Sequence, residues 1–104
     1  MSIKSQTKEV LTAANVASAQ TSESIDLRFN FGVFIQASYT GSPSGDVVLQ
    51  ASSDNVVWTD IDKVTISGAS NFINKDAIYA PYIRVYKAAG GTGTITVNVT
   101  IKGV

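Results

Sequence analysis

Near the end of the chain the sequence reads TGTITVNVTIKGV, in which Ile95, Val97, Val99 and Ile101 alternate with Thr94, Thr96, Asn98, Thr100 and Lys102. An apolar residue at every second position is the signature of a β-strand with one face in a core and the other in water, because successive strand side chains point to opposite sides. The same alternation recurs as Val33, Ile35, Ala37 and Tyr39 in GVFIQASYT, as Val47, Leu49 and Ala51 in DVVLQAS, and as Ile83 and Val85 in YIRVYK. Weaker patterns at Ile25 to Phe29, Val56 to Ile61, Val64 to Ser67 and Phe72 to Asn74 predict further strands. Seven to eight short strands at intervals of about ten residues describe an all-β, single-domain antiparallel β-sandwich or jelly roll.

The connections carry turn chemistry. GSPSG (41–45) and AAGGTG (88–93) are glycine-rich and join consecutive strands, while SSDN (52–55) ends on Asn55, a residue that tolerates positive φ. All three are expected to be hairpins. The first 24 residues are rich in Ser, Thr, Ala and Gln and poor in bulky apolar groups, so they gain little by packing on their own core. Within them VLTAANVASAQ (10–20) has alanines that allow a helix and Thr12, Asn15 and Ser18 that weaken one, which leaves an extended arm equally open. The expected organisation is an N-terminal arm over 1–24, reaching onto a neighbour, and a sandwich over 25–104.

Composition narrows the function. Neither cysteine nor histidine occurs among the 104 residues, which removes disulfides, thiol nucleophiles, Cys- or His-based zinc sites and the side chain that titrates nearest neutrality. No catalytic residue and no cofactor is expected, and the chain is read as a non-enzyme. Eight basic residues balance eight acidic ones, so no long-range field draws in nucleic acid or anionic lipid. The charged fraction is 15%, below the ~25% of an average soluble domain. That surplus of apolar surface suits an interface, and a homo-oligomer or lattice component is expected. No apolar run approaches the roughly 18 residues of a membrane span, and MSIKSQTKEV lacks the hydrophobic segment of a secretory signal.

The stretch LQASSDNVVWTDI (49–61) holds the most chemistry. Asp46, Asp54, Asp60 and Asp62 bracket it, but their spacing matches no calcium loop, and aspartates shape turns without metal. No metal site is expected. Trp58 is the largest apolar side chain available to a thin two-sheet core, and it is placed there with Leu49, Ile83, Val85, Val97 and Val99 as core anchors. The alternative sets Trp58 outside with Tyr39, Tyr79, Tyr82 and Tyr86 as a platform for stacking sugars. Arg84 lies between Ile83 and Val85 and so faces away from the core with Tyr82 and Tyr86, where it can stack on a ring or pair across strands.

The runs GSPSGDVVLQASSDNVVWTDI and APYIRVYKAAGGTGTITVNV resemble a pattern of small β-sandwich virion proteins of tailed bacteriophages. The positions that carry the resemblance are Gly45, Leu49, Gln50, Ser52, Asp54, Trp58, Ile61, Tyr82, Arg84 and the GTGT of 91–94. It implies a non-enzymatic structural protein, made in the host cytoplasm and placed in the virion, most simply a capsid decoration protein whose partners are copies of itself and the major capsid or another virion protein. A tail-associated component is the nearest alternative, and a carbohydrate-binding module using Trp58, Tyr39, Tyr82 and Tyr86 is the alternative of a different class.

Overall fold

The structure is a computed structural model that describes residues 5–27, 30–76, 78 and 80–103. Among the described residues nine strands make up the fold: β1 (Ser5–Asn15), β2 (Gln20–Thr21), β3 (Ile25–Asp26), β4 (Asn30–Pro43), β5 (Asp46–Ser52), β6 (Thr59–Thr65), β7 (Ser70–Lys75), β8 (Tyr82–Lys87) and β9 (Gly91–Gly103). They form two antiparallel sheets, one in the order β1-β9-β4-β7 and one in the order β2-β8-β5-β6, with β3 also paired to β8. β2 and β3 run along the same edge of β8 as one interrupted strand, Thr21 opposite Tyr86 and Ile25 opposite Ile83. Ser22 patches the interruption: its N–H donates to the Val85 carbonyl at 2.9 Å and its hydroxyl accepts the Val85 N–H at 2.9 Å. With β2 and β3 counted together, eight strands pass back and forth between two sheets as in a jelly roll.

The core lies where the alternation put it. Val33, Ile35 and Ala37 of β4, Val47 and Leu49 of β5, Ile83 and Val85 of β8, and Ile95, Val97 and Val99 of β9 are all buried between the sheets. Each such valine, leucine or isoleucine side chain removed from water stabilises the fold by about 1.5–3 kcal/mol. Trp58 is not among them. It is half-buried and lies outside the core cluster, because β6 starts one residue later, at Thr59, and the thin core is already filled by β-branched residues and leucines.

Three further expectations are corrected. Residues 5–24 are not an arm: β1 pairs along β9 from Ser5 opposite Lys102 to Asn15 opposite Thr94, and Leu11 and Val16 are buried in the core. Two register shifts in β1, around Leu11, break the strict alternation, and this is why the segment reads as ambiguous. GSPSG and AAGGTG are not hairpins, since each carries the chain from one sheet to the other, β4 to β5 and β8 to β9. The two crossings meet at one end, where Ser44 N–H donates to the Gly90 carbonyl at 3.3 Å and Gly90 N–H donates to the Val16 carbonyl at 2.9 Å. The weak strands expected at 56–61 and 64–67 are one strand, β6, whose pairing with β5 shifts between Leu49 and Gln50 and leaves Ile61 as the extra residue. Of the strand expected at 25–29, residues 28 and 29 lie outside the described residues.

Candidate functional site

SSDN does join β5 to β6 within one sheet, and its side chains set the geometry of the segment that leads into β6. The Ser52 hydroxyl accepts the N–H groups of Asp54 (3.2 Å) and Asn55 (2.9 Å) and donates to Asp54 Oδ1 at 3.0 Å. Asp54 Oδ1 in turn accepts the N–H groups of Val56 and Val57, each at 2.9 Å, and Asn55 takes φ 64°. These backbone donors, with Val57 first, hold the Asp54 carboxyl below the usual carboxylate range. The turn is thereby built from local side-chain bonds, and it presents Val56 and Val57 at 76% and 67% exposure.

Directly after this turn, Trp58 meets the outer face of the five-stranded sheet. Strand register sets Gln50 beside Arg84, Val48 beside Tyr86 and Ser52 beside Tyr82 across β5 and β8, and Asp60 beside Gln50 across β5 and β6. The side chains use that register. The Arg84 guanidinium lies over the Trp58 ring, 4.4 Å from its centroid, and Arg84 Nε donates to Gln50 Oε1 at 2.7 Å. Gln50 Nε2 then donates to Asp60 Oδ1 at 2.8 Å. A line of four side chains, Trp58–Arg84–Gln50–Asp60, therefore crosses three strands, with half-buried Tyr82 and Tyr86 on either side of Arg84 along β8.

Of the side chains named as a sugar platform, the structure brings Trp58, Tyr82 and Tyr86 to one face and separates Tyr39 from them. Tyr39 belongs to β4 in the other sheet, follows the inward row of Val33, Ile35 and Ala37, and donates its hydroxyl to Asn71 Oδ1 at 2.9 Å. Burial pushes the Tyr39 hydroxyl above its usual pKa. Tyr79 lies outside the described residues. The aspartates are dispersed among separate partners: Asp46 accepts from Thr65 Oγ1 at 2.8 Å and faces Lys63 Nζ at 3.7 Å, while Asp62 faces Lys75 Nζ of the opposite sheet at 3.6 Å. Among the described residues no three carboxylates converge on a point where an ion would sit.

Two features were not singled out by sequence reasoning. Phe34 and Phe72 stack on the outer face of the four-stranded sheet with centroids 5.6 Å apart; the signal was present, since an inward Val33 and Ile35 leave Phe34 outward. Lys87 continues the inward row of Ile83 and Val85 and is wholly buried, its ammonium donating to the Ala88 carbonyl at 2.6 Å. Desolvation pushes its pKa below the ordinary lysine value.

No family model and no curated protein matches the chain. Solved structures do match in fold. The SPBc2 prophage-derived protein YomS superposes with a TM-score of 0.75 at 14% identity, over 99% of this chain and 96% of that one. A Bacillus endospore appendage protein, from a family of disulfide-linked pili, gives 0.58 at 12% identity over 98% and 88%. A family 29 carbohydrate-binding module gives 0.50 at 10% identity over 95% and 89%. At these identities the common property is the sandwich itself, and the chain shares that sandwich over nearly its whole length with a protein of prophage origin.

Proposed function

We propose that the chain is a non-enzymatic structural protein of a bacteriophage virion, made in the host cytoplasm and acting as a capsid decoration protein through contacts with copies of itself and with the major capsid protein. The observation that supports this most is the likeness to a prophage-derived protein, which runs over nearly the whole of both chains. The fold shared with a pilus subunit fits a role in assembly. So does the apolar surface left in water at Val56, Val57 and Phe72, which is easier to account for if part of it is covered in a particle. Co-sedimentation of the purified chain with heads and, separately, with tails is the test. Saturable binding to heads supports decoration, binding to tails alone moves the protein to a tail-associated place, and binding to neither refutes the reading.

A second reading is carried by the Trp58–Arg84–Gln50–Asp60 line. With the Arg84 guanidinium over one face of the Trp58 indole, the opposite ring face is the stacking surface of this reading, next to the amide of Gln50 and the carboxylate of Asp60, groups that a sugar's hydroxyls can bond. Quenching or a blue shift of the single tryptophan's emission on titration with oligosaccharides would support it, and an unchanged spectrum would remove it.

A further inference from the structure

The outer faces of the two sheets differ in charge. That of the five-stranded sheet carries Asp46, Asp60, Lys63 and Arg84. Across the four-stranded sheet the register lines up Thr7, Thr100, Phe34 and Asn74 in one row, all neutral, and Glu9, Asn98, Gln36 and Phe72 in the next, where the charge sits on the edge strand β1 and the other three residues are neutral. Glu9 and Lys102 bring charge to its margins. The two phenylalanines sit diagonally across β4 and β7, and Phe72 is 62% exposed although its stacking on Phe34 holds the ring in place. A stacked pair of aromatics with one ring this open, on a sheet face whose charges lie at its margins, is out of keeping with a surface that only faces solvent.

Five threonine hydroxyls of this face are already engaged. Thr7 and Thr100 share a hydrogen bond at 2.8 Å, Thr40 and Thr94 share one at 2.7 Å, and Thr96 Oγ1 accepts the Ala13 N–H at 3.1 Å. A hydroxyl with a partner inside the sheet can be covered without losing its bond to water alone, so its desolvation costs little. A face that is neutral across its middle strands and bears both donors and acceptors is also compatible with itself, because about a two-fold axis only groups near the centre meet their own like, and the opposite charges of Glu9 and Lys102 lie at the margins. Its size is adequate. Strands of 11, 13, 14 and 6 residues, at about 3.3 Å along the strand and about 4.8 Å across it, give on the order of 700 Å², against ~800 Å² per partner in a standard interface.

We propose that the outer face of the four-stranded sheet, centred on Phe34 and Phe72, is where the chain packs against a second copy of itself. The inference rests on the assembly reading above only for the expectation that the chain self-associates. Sedimentation equilibrium of the full chain tests it, with Phe72→Lys on this face and Thr21→Lys on the opposite one. The expected result is a reversible dimer whose dissociation constant rises about thirtyfold or more in Phe72→Lys, the loss of one central aromatic contact, and is unchanged in Thr21→Lys. Both variants should melt near the wild type, since both positions are exposed. If Phe72→Lys fails to fold, Gln36→Arg, opposite Phe72 in the register, takes its place. A wild-type monomer at the highest soluble concentration, or a Phe72→Lys protein that associates normally, overturns the proposal. Head binding measured on the same samples separates the two readings: a monomer that still binds heads overturns this inference and leaves the virion role standing. A monomer whose head binding is lost in Phe72→Lys also overturns it, by assigning the face to another virion protein.

Discussion

Gly93 and Gly45 make a matched pair in which φ is nearly the same and space is varied. Both are in the left-handed region, at φ 105° and φ 101°, so replacing either by alanine imposes a conformational cost of about 1–2 kcal/mol. They differ in what a methyl group would meet. At Gly45 the nearest atom is Lys87 Nζ at 3.8 Å, an ordinary contact with the end of a flexible side chain. At Gly93 the methyl would overlap the Thr40 carbonyl oxygen, with the Thr40 carbonyl carbon at 2.7 Å and Gly41 Cα at 2.9 Å. Those atoms belong to β4, paired to β9 through Thr40 opposite Thr94 and Gly41 opposite Gly93, and they cannot rotate away. Strands β4 and β9 would have to part at the end of the central pair of the sheet, adding an overpacking cost of about 1–3 kcal/mol or more. Gly93→Ala is therefore expected to cost about 2–5 kcal/mol and Gly45→Ala about 1–2 kcal/mol. For a domain of this size each kcal/mol lowers Tm by roughly 4–8 °C, so the variants should separate clearly in thermal unfolding followed by circular dichroism. Equal destabilisation of the two, or a Gly93→Ala protein within about 1 kcal/mol of the wild type, would refute the close approach as the cause.

Other substitutions probe other parts of the structure. Trp58→Ala should cost about 1–2 kcal/mol, the loss of a partly exposed ring and its contact with Arg84, against about 2–5 kcal/mol for Leu49→Ala in the core; equal losses in urea titrations would return Trp58 to the core. Lys87 has a folded pKa below its unfolded value of 10.5, so in the window between the two the unfolded chain holds more protons and stability rises with pH. The stability of Lys87→Met relative to the wild type should thus be greatest below that window and shrink through it, and a difference that stays constant with pH would contradict a desolvated ammonium. Asp54 lies below its ordinary value of 3.8 because the folded turn hydrogen-bonds its charged form, so its contribution is present above about pH 3.8 and lost as pH falls through the lower folded value; Asp54→Ala should flatten that part of the acid unfolding curve, and an unaltered curve would show that the turn does not depend on the carboxylate. Deleting residues 5–15 removes a whole edge strand and Leu11, so the truncated chain should lose cooperative melting, whereas a near-native melt would restore the view of an arm.

The local part of the fold was legible in the residues alone. Period-two alternation is a property of neighbouring residues, and it assigned Leu49, Ile83, Val85, Val97 and Val99 to the core and Arg84 to the outside without reference to any other strand. Asn55 at positive φ was equally legible, because the turn is closed by bonds from Ser52 and Asp54 within five residues. Pairing between distant parts of the chain settled the rest. Which sheet a strand joins is not written in its alternation, so the two glycine-rich crossings read as hairpins. The β1 segment, irregular on its own, becomes a strand because β9 supplies its hydrogen-bond partners. Trp58 sits at the boundary of a strand, where alternation gives no direction. Its place was settled by Arg84, which is carried to Gln50 from 34 positions away in sequence and, once there, covers the indole on the outside of the sheet while the inward rows of aliphatic side chains leave it no room within.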